Sequence, residues 1–376
     1  MKKLFALLVL LVALLLTGCQ TKSSDSGEHN QSGKDKPSTE TGEKITGNMT
    51  VGSDFSEGYA FVKEGEKIYC IDKSGSIVFE VDKDLPNSKI EALRFSNGVA
   101  LIDGGICDTS GKITYPEDVG VTKFYRVAFR GGYIVAEKVT SDYSSTKKEL
   151  GVMNMNFEWV LSPSEEIYAA VAGDLWLTEA LNTQSFYSNG FIYFQGSEKC
   201  LDINTGEVLD WHPVNSSQSD WIFHGIGTTE LGGTYCDSED NVMLDLRQHE
   251  NLLTATSFIN GKAAVFFYNQ SAGTYFFTII DKSGAFAFDP VEIKNIKSVY
   301  SVSCLQFDGE YVVVAEHYMG SDIRIQSYNM SGELLGELKT SSLPYASYTW
   351  ELADSVFVLR GGNVYYFNPD FTPLFE

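Results

Sequence analysis

The chain has 376 residues, with 28 Lys and Arg against 50 Asp and Glu, and a formal net charge of −22. This charge argues against a nucleic-acid partner, because phosphate binding requires a basic surface and the chain has no long Lys/Arg run. Hydrophobic residues at 43% exclude a largely disordered chain, and 13% aromatics with 34 glycines favour short strands joined by turns.

The N-terminal residues are typical of a signal peptide. Lys2 and Lys3 precede an apolar run, Leu4 to Leu16, whose 13 residues are too few for a membrane-spanning helix of roughly 20. The tetrad Leu16-Thr17-Gly18-Cys19 resembles the bacterial lipobox, and an ordinary secretory signal with a chance cysteine is the alternative. The resemblance implies that residues 1–18 are cleaved and that Cys19 carries acyl chains such as palmitate. We therefore expect a lipoprotein anchored to the cell membrane on its extracytoplasmic face.

Residues 19–44 follow as a predicted tether. From Gln20 to about Lys44 the sequence contains no large apolar residue, so it cannot bury enough surface to offset its ordering entropy. We expect the folded body to span residues 45–376.

The body repeats one turn eight times. An Asp or Asn follows an apolar strand, and a second apolar strand begins a few residues later, with Gly or another turn former between them. The side chain of this first residue can bond the backbone two residues on, and Gly supplies a positive φ. A mean spacing of about 42 residues matches four short strands per unit. The eight turns begin at Asp72, Asp108, Asn154, Asp202, Asp237, Asp281, Asn329 and Asn368.

A second marker lies upstream of the turn in three units, at Phe55 to Val62, Phe95 to Ile102 and Phe258 to Val265. With the turn, this marker resembles the unit of WG-repeat proteins, F-x-x-G-x-A-x-V followed by a strand that ends in I-D-K-x-G. The resemblance implies an all-β fold, a single β-propeller of four-stranded blades. Eight blades fit the count best, seven remain possible because unit four (Ile167 to Asp210) has ambiguous strand limits, and a pair of β-sandwiches is the rival fold.

Each unit should supply strands A to D from hub to rim. In unit two we predict Ala92 to Phe95, Val99 to Ile102, Gly105 to Asp108 and Lys112 to Tyr115. Glu43 to Thr50 could pair with the last unit and close the ring, which would protect exposed edges. Leu246 to Thr254 is the one plausible short helix.

Standard catalytic and metal motifs are absent from the sequence, so we expect no catalytic residue, no metal and no cofactor. His212, His224 and His249 lie close in the chain, but no carboxylate or cysteine has ligand spacing to them. Cysteines of separate units lie too far apart for disulfides, and we expect buried free thiols at Cys70, Cys107, Cys200, Cys236 and Cys304.

The longer loops all fall between strands B and C or between D and A, which is one face of a propeller, and we call it the crown face. We expect it to bind a partner through exposed aromatic and His residues. The leading hypothesis is a monomeric, non-enzymatic binding or scaffold module for a protein or envelope glycan partner. The alternatives are a carbohydrate-binding or sensing lipoprotein, and a glycan lyase or hydrolase using funnel carboxylates. The candidate binding residues are Tyr143, Tyr187, Trp211, His212, His249, His317 and Tyr318.

Overall fold

In a computed structural model of the chain, the described residues belong to one compact unit, Pro37–Glu376. They are residues 43–46, 48–128, 132–141, 145–171, 185–188, 191–194, 199–210, 221–225, 232–237, 241–295, 305–316, 324–342 and 348–375. Within these ranges, no helix is long and apolar enough to cross a membrane.

The described residues form eight consecutive antiparallel sheets, and strands that are neighbours in the chain are neighbours in each sheet. Sheets 1 to 3 comprise β1 Met49–Gly52, β2 Tyr59–Glu64, β3 Lys67–Asp72 and β4 Ile77–Val81; β5 Val99–Ile102, β6 Gly105–Asp108 and β7 Ile113–Thr114; and β8 Lys123–Ala128, β9 Tyr133–Ser141, β10 Thr146–Asn154 and β11 Trp159–Ser164. Sheets 4 and 5 comprise β12 Ser185–Ser188, β13 Phe191–Phe194, β14 Lys199–Asp202 and β15 Val208–Asp210; and β16 Ile222–Phe223, β17 Thr234–Cys236 and β18 Val242–Asp245. Sheets 6 to 8 comprise β19 Leu252–Ala255, β20 Lys262–Asn269, β21 Thr274–Asp281 and β22 Val291–Ile293; β23 Leu305–Phe307, β24 Tyr311–Ala315, β25 Arg324–Asn329 and β26 Leu334–Lys339; and β27 Thr349–Ala353, β28 Val356–Gly361 and β29 Asn363–Phe367.

Helical structure is short. The helix α1 spans Asn87–Glu91, residues 165–171 are helical, and 3-10 turns span Pro116–Val119 and Thr340–Ser342. The predicted helix at Leu246 to Thr254 is wrong. Asn251 has a φ of 64°, and the residues after it form β19, which pairs with β20. A left-handed residue interrupts a right-handed helix, and the extended partner strand stabilises the β conformation instead.

Unit two confirms strands B and C, since β5 and β6 have the predicted limits, and shortens strand D to β7. The predicted strand A, Ala92 to Phe95, is not a strand. Instead, α1 precedes it, and Ile90 and Leu93 are buried in the same core cluster as Phe95. Sheet 2 therefore has three strands, because this segment buries its apolar residues through a helical turn.

The repeated turn has the predicted chemistry. Asp72 Oδ1 accepts hydrogen bonds from the backbone N–H groups of Ser74 (2.8 Å) and Ser76 (3.1 Å), and Gly75 has a φ of 78°. The carboxylate or amide oxygen thus satisfies donors that the tight turn leaves without strand partners. The same pair of bonds is made by Asp108, Asn154, Asp281 and Asn329.

Cys70, Cys107, Cys200 and Cys236 are buried free thiols, as predicted, whereas Cys304 lies outside the described residues. Burial raises the pKa of Cys107 to about 12 and raises that of Cys70 further. Because the thiolate is the reactive form of cysteine, burial disfavours nucleophilic reactivity at Cys70 and Cys107.

Neighbouring sheets interlock through one repeated contact. The residue seven positions after the Asp or Asn of one turn packs on the turn glycine of the next sheet: a Cβ added at Gly111 would lie 2.6 Å from Cγ of Phe79. Only glycine leaves room for this approach. The same contact joins Leu161 to Gly206, Leu244 to Gly284 and Phe288 to Gly332.

Two further junctions have a related contact. Between sheets 7 and 8 the roles are reversed, because small Gly336 occupies the outer position and lies against the backbone of Asp370. Between sheets 8 and 1, Phe375 packs on Gly75, where an added Cβ would lie 2.5 Å from its Cδ1. The last sheet therefore contacts the first as the interior sheets contact one another.

The N-terminal end of the described body also lies between sheets 1 and 8. Ile45 and Met49 are buried in one core cluster with Val356 and Val364 of the last sheet. The expected strand pairing of Glu43 to Thr50 with the last unit is wrong, since β1 pairs with β2 and the carbonyl of Glu43 accepts a bond from Ile77 N in sheet 1 (3.0 Å). This segment reaches sheet 8 through apolar side chains.

Candidate functional site

A cavity of about 740 Å³ lies where the first turns of sheets 1, 2, 6, 7 and 8 meet, and we call it the turn cavity. Six carboxylates and one guanidinium line it. Its charged lining residues are Asp54, Glu57, Arg94, Asp308, Glu310, Glu351 and Asp354.

A second cavity of about 510 Å³ adjoins it, and we call it the strand cavity because the first strands of sheets 6, 7 and 8 border it. Its lining is mixed: apolar side chains alternate with the hydroxyls of Thr254, Thr256 and Ser257. The two cavities share Ile259, Phe307, Glu351 and Leu352. Both sizes fall within the range of small-molecule sites.

Asp54 is the buried charge at the wall of the turn cavity. Its side chain is 7% exposed and pairs with Arg94 of the segment entering sheet 2 and with Arg360 of β28 in sheet 8. Its Oδ1 lies 2.5 Å from Nη2 of Arg360, whose Nε also donates to the carbonyl of Gly52 (3.2 Å). One carboxylate thus ties sheet 1 to both of its neighbours, and both of its oxygens are occupied.

Glu351 faces both cavities from β27, where it is exposed to the cavity space. Gln306 lines the strand cavity beside it, and the Oε1 of Gln306 accepts a hydrogen bond from Leu352 N (2.6 Å). Removal from bulk water raises the pKa of Glu351, and the charge of Asp54 raises it further, against the opposing effects of Gln306, Arg94 and Arg360.

The other carboxylates of the turn cavity hold neighbouring turns together. Asp308 of sheet 7 accepts from Ser355 N in sheet 8 (2.9 Å), and Asp354 of sheet 8 accepts from Gly58 N in sheet 1 (2.6 Å). Glu57 of sheet 1 accepts from Asn97 N (2.6 Å) and Gly98 N (2.8 Å) in sheet 2. These bonds run in one direction from sheet 7 through sheets 8 and 1 to sheet 2.

A hydrogen bond from a tyrosine hydroxyl to a backbone carbonyl of the next sheet occurs at two of the junctions between sheets. The hydroxyl of Tyr366 in sheet 8 donates to the carbonyl of Ser53 in sheet 1 (2.7 Å), and the hydroxyl of Tyr235 in sheet 5 donates to the carbonyl of Thr256 in sheet 6 (2.6 Å). Each tyrosine ring also packs on the phenylalanine that lies two residues after the accepting carbonyl. The ring centroids are 5.3 Å apart for Tyr366 and Phe55 and 4.6 Å apart for Tyr235 and Phe258. The junction between sheets 8 and 1 therefore has the geometry of an interior junction.

The predicted lipidation site, Cys19, lies outside the described residues, as do most of the predicted binding residues: Tyr143, Trp211, His212, His317 and Tyr318. The backbone of Tyr187 lies in β12, the first strand of sheet 4, and not in one of the longer loops where the crown-face residues were expected. Its side chain is outside the described set. Of the predicted residues, therefore, only His249 can be placed by its side chain.

His249 is half-buried in the turn between β18 and β19. Its ring lies 5.1 Å from that of Phe286 and 6.3 Å from that of Phe267, and its backbone N–H donates to the carbonyl of Leu246 (3.0 Å). Part of its surface is thus used in packing its turn against residues of sheet 6. In the described ranges, no group of three or more His, Cys, Asp or Glu could hold a metal ion.

Sequence reasoning missed Asp54, Arg94, Glu351 and Arg360. A signal was present for two of them, since Asp54 and Arg94 occupy the same position directly before Phe55 and Phe95 of the second marker. Opposite charges at equivalent positions of consecutive units predict a pair between them. Glu351 and Arg360 lie in the last unit, which has lost the marker, and no comparable signal identifies them.

Comparison with known proteins identifies no family, and the similar solved structures have low TM-scores. No family model matches the chain, and no curated protein matches it. Among solved structures, an uncharacterized protein from Listeria monocytogenes EGD-e has a TM-score of 0.36 at 9% identity, over 90% of this chain and 98% of that one. A eukaryotic initiation factor has a TM-score of 0.35 at 8% identity, over 79% and 89% of the two chains. The extracellular domain of a putative hybrid two-component system from B. thetaiotaomicron has a TM-score of 0.33 at 9% identity, over 89% and 42%.

Proposed function

We propose that the chain is a membrane-anchored, extracytoplasmic lipoprotein whose body is a closed eight-bladed β-propeller of WG-repeat type. In this proposal it acts as a non-enzymatic binding or scaffold module for a protein or envelope partner, held to the membrane through Cys19. Its crown face carries the partner site. The sequence supports the anchor, and the repeated junctions support the ring.

Support for the ring comes from the junction between sheets 8 and 1. Phe375 on Gly75 and Tyr366 on Ser53 repeat contacts that join interior sheets. A closed ring leaves no strand edge at the seam to pair with another chain, and it fixes all loops on a rigid support. Rigid support for variable loops is the usual arrangement for a binding surface.

One observation favours binding over catalysis: the carboxylate of Asp54 is fully occupied by Arg94 and Arg360. Glycoside hydrolysis needs two carboxyl groups free to act as acid and as nucleophile or base. Glu351 has the raised pKa of an acid, but Asp54, the carboxylate whose charge acts on it, cannot approach a sugar without breaking two ion pairs. The charge at this site is therefore used to hold three sheets together.

The test is a retention experiment on envelope extract. The soluble body, residues 43–376, is immobilised beside a denatured sample of the same body, and retained proteins and glycans are identified by mass spectrometry. We expect a partner that is retained in stoichiometric amount by the folded body alone. Shortened glycans in the flow-through, absent when Glu351→Gln replaces the native body, would instead assign an enzyme.

A further inference from the structure

The proposed scaffold role places the partner site on the crown face and gives no function to the two adjoining cavities. In the turn cavity six carboxylates face a single guanidinium, so the potential there is negative. Walls of protein around an excess of one charge concentrate the field, and counter-ions of the opposite sign accumulate.

The lining carboxylates differ in how they are compensated. Asp54 has two arginines, Asp354 has Lys73 at 3.1 Å, and Asp308 and Glu57 each accept backbone N–H bonds. Within the described part of the chain, no Lys or Arg is in ion-pair contact with Glu351, although Arg94 and Arg360 act on its pKa from a greater distance. Within the same residues Glu310 has no ion pair either and accepts a hydrogen bond from the hydroxyl of Ser355 (3.0 Å). Glu351 and Glu310 are therefore the lining carboxylates whose charges are least neutralised, and of the two only Glu351 borders both cavities.

Glu351 lies between a charged cavity and a more apolar one. It lies on the boundary of the two cavities, with the carboxylates of the turn cavity on one side. On the other side, the strand cavity presents the apolar side chains of Phe223, Leu305, Phe307 and Leu352. A ligand in both cavities would therefore meet negative charge at one end and aromatic and aliphatic surface at the other.

We propose that the adjoining cavities bind a small organic cation, with its ammonium group paired to Glu351 and its apolar part in the strand cavity. Gln306 is the positioning residue, because its bond to Leu352 N fixes its side chain in the wall of the strand cavity next to Glu351. Phe307 borders both cavities. An ion pair with Glu351 adds to the favourable burial of the apolar part of the ligand. The inference is independent of the crown-face partner.

The test compares three probes of one shape and different charge: benzylamine, benzyl alcohol and benzoate. Binding to the full chain is measured by calorimetry, with detergent alone subtracted. We expect benzylamine to bind with a Kd on the order of 1 mM, about tenfold more tightly than benzyl alcohol, which corresponds to one ion pair worth about 1.4 kcal/mol. Raising the NaCl concentration should weaken the binding of benzylamine and leave that of benzyl alcohol unchanged.

The matched variants are Glu351→Gln and, as a control, Glu292→Gln, an exposed carboxylate of β22 that lines neither cavity. Glu351→Gln should lower the affinity for benzylamine about tenfold and leave that for benzyl alcohol unchanged, while Glu292→Gln changes neither. The proposal is overturned by equal binding of benzylamine to the native chain and a folded Glu351→Gln chain. It is also overturned by tightest binding of benzoate, which would assign the cavities to anions through Arg94, and by the absence of saturable benzylamine binding. Should Glu351→Gln fail to fold, the salt dependence in the native chain decides by itself.

Discussion

Replacing Tyr366 with Phe tests whether sheets 8 and 1 are joined in solution, because an interior junction supplies a matched comparison. Tyr366→Phe removes one hydroxyl and leaves the carbonyl of Ser53 without that donor, and Tyr235→Phe does the same to Thr256. Both tyrosines are buried, and burial raises the pKa of each, so each remains a protonated donor. A buried acceptor that loses its donor costs about 1–3 kcal/mol. Since the aromatic rings stay in place, we expect a loss of about 1.5 kcal/mol for either variant.

The assay is equilibrium unfolding of residues 43–376 in urea. A lower midpoint at an unchanged slope gives the loss of stability directly. For a chain of this size 1.5 kcal/mol also corresponds to a fall in Tm of about 2 °C. If the ring is closed, the two variants lose similar amounts. A normal loss for Tyr235→Phe with a loss below about 0.3 kcal/mol for Tyr366→Phe would refute closure, because an open seam has no hydrogen bond to lose.

Three other outcomes are expected. Cys19→Ser should abolish incorporation of labelled palmitate and move the protein out of the membrane fraction; mature, membrane-bound Cys19→Ser protein would contradict the lipobox. Residues 43–341, which lack sheet 8, should be protease-sensitive and unfold without cooperativity, and a monomeric, cooperatively folded fragment would favour an open array. The folded state raises the pKa of Glu351 above its usual value of 4.5, so the contribution of this group to stability is present below pH 4.5 and is lost as pH rises through the raised pKa. Gln is neutral at every pH, so Glu351→Gln should raise the urea midpoint at about pH 7 but not at about pH 4. An equal gain at both pH values would contradict that assignment.

The sequence predicts those parts of the fold that depend on neighbours in the chain. The turn at Asp72 depends on residues two and four positions away, so the spacing of Asp, Ser and Gly is sufficient to identify it. The limits of β5 and β6 follow for the same reason, since Asp103 and Gly104 between them both have positive φ. Structure that depends on hydrogen bonds between residues close in the chain can therefore be predicted from the sequence.

The candidate site depends on contacts that local sequence does not record. Asp54 and Arg360 are separated by 306 residues, and neither lies in a motif that indicates the other. The irregular entry to sheet 2 likewise depends on Ile90 and Leu93 reaching a core cluster shared with sheet 1. Tertiary packing determines the position and conformation of such residues, and it overrides the intrinsic propensity of a short segment.

The contact between Phe375 and Gly75 has a consequence for how the chain can be cut and rejoined. Every described junction with this geometry places an outer residue of one sheet on the turn of the next, and the junction between the chain's two ends does the same. If the proposed ring is closed, no sheet is first or last in structural terms. If residues 43–376 are opened between sheets 3 and 4 and the native ends are joined by a flexible linker, the order of contacts is unchanged. We expect such circular permutants to fold, and to differ from the native body mainly in the entropy of the new loop.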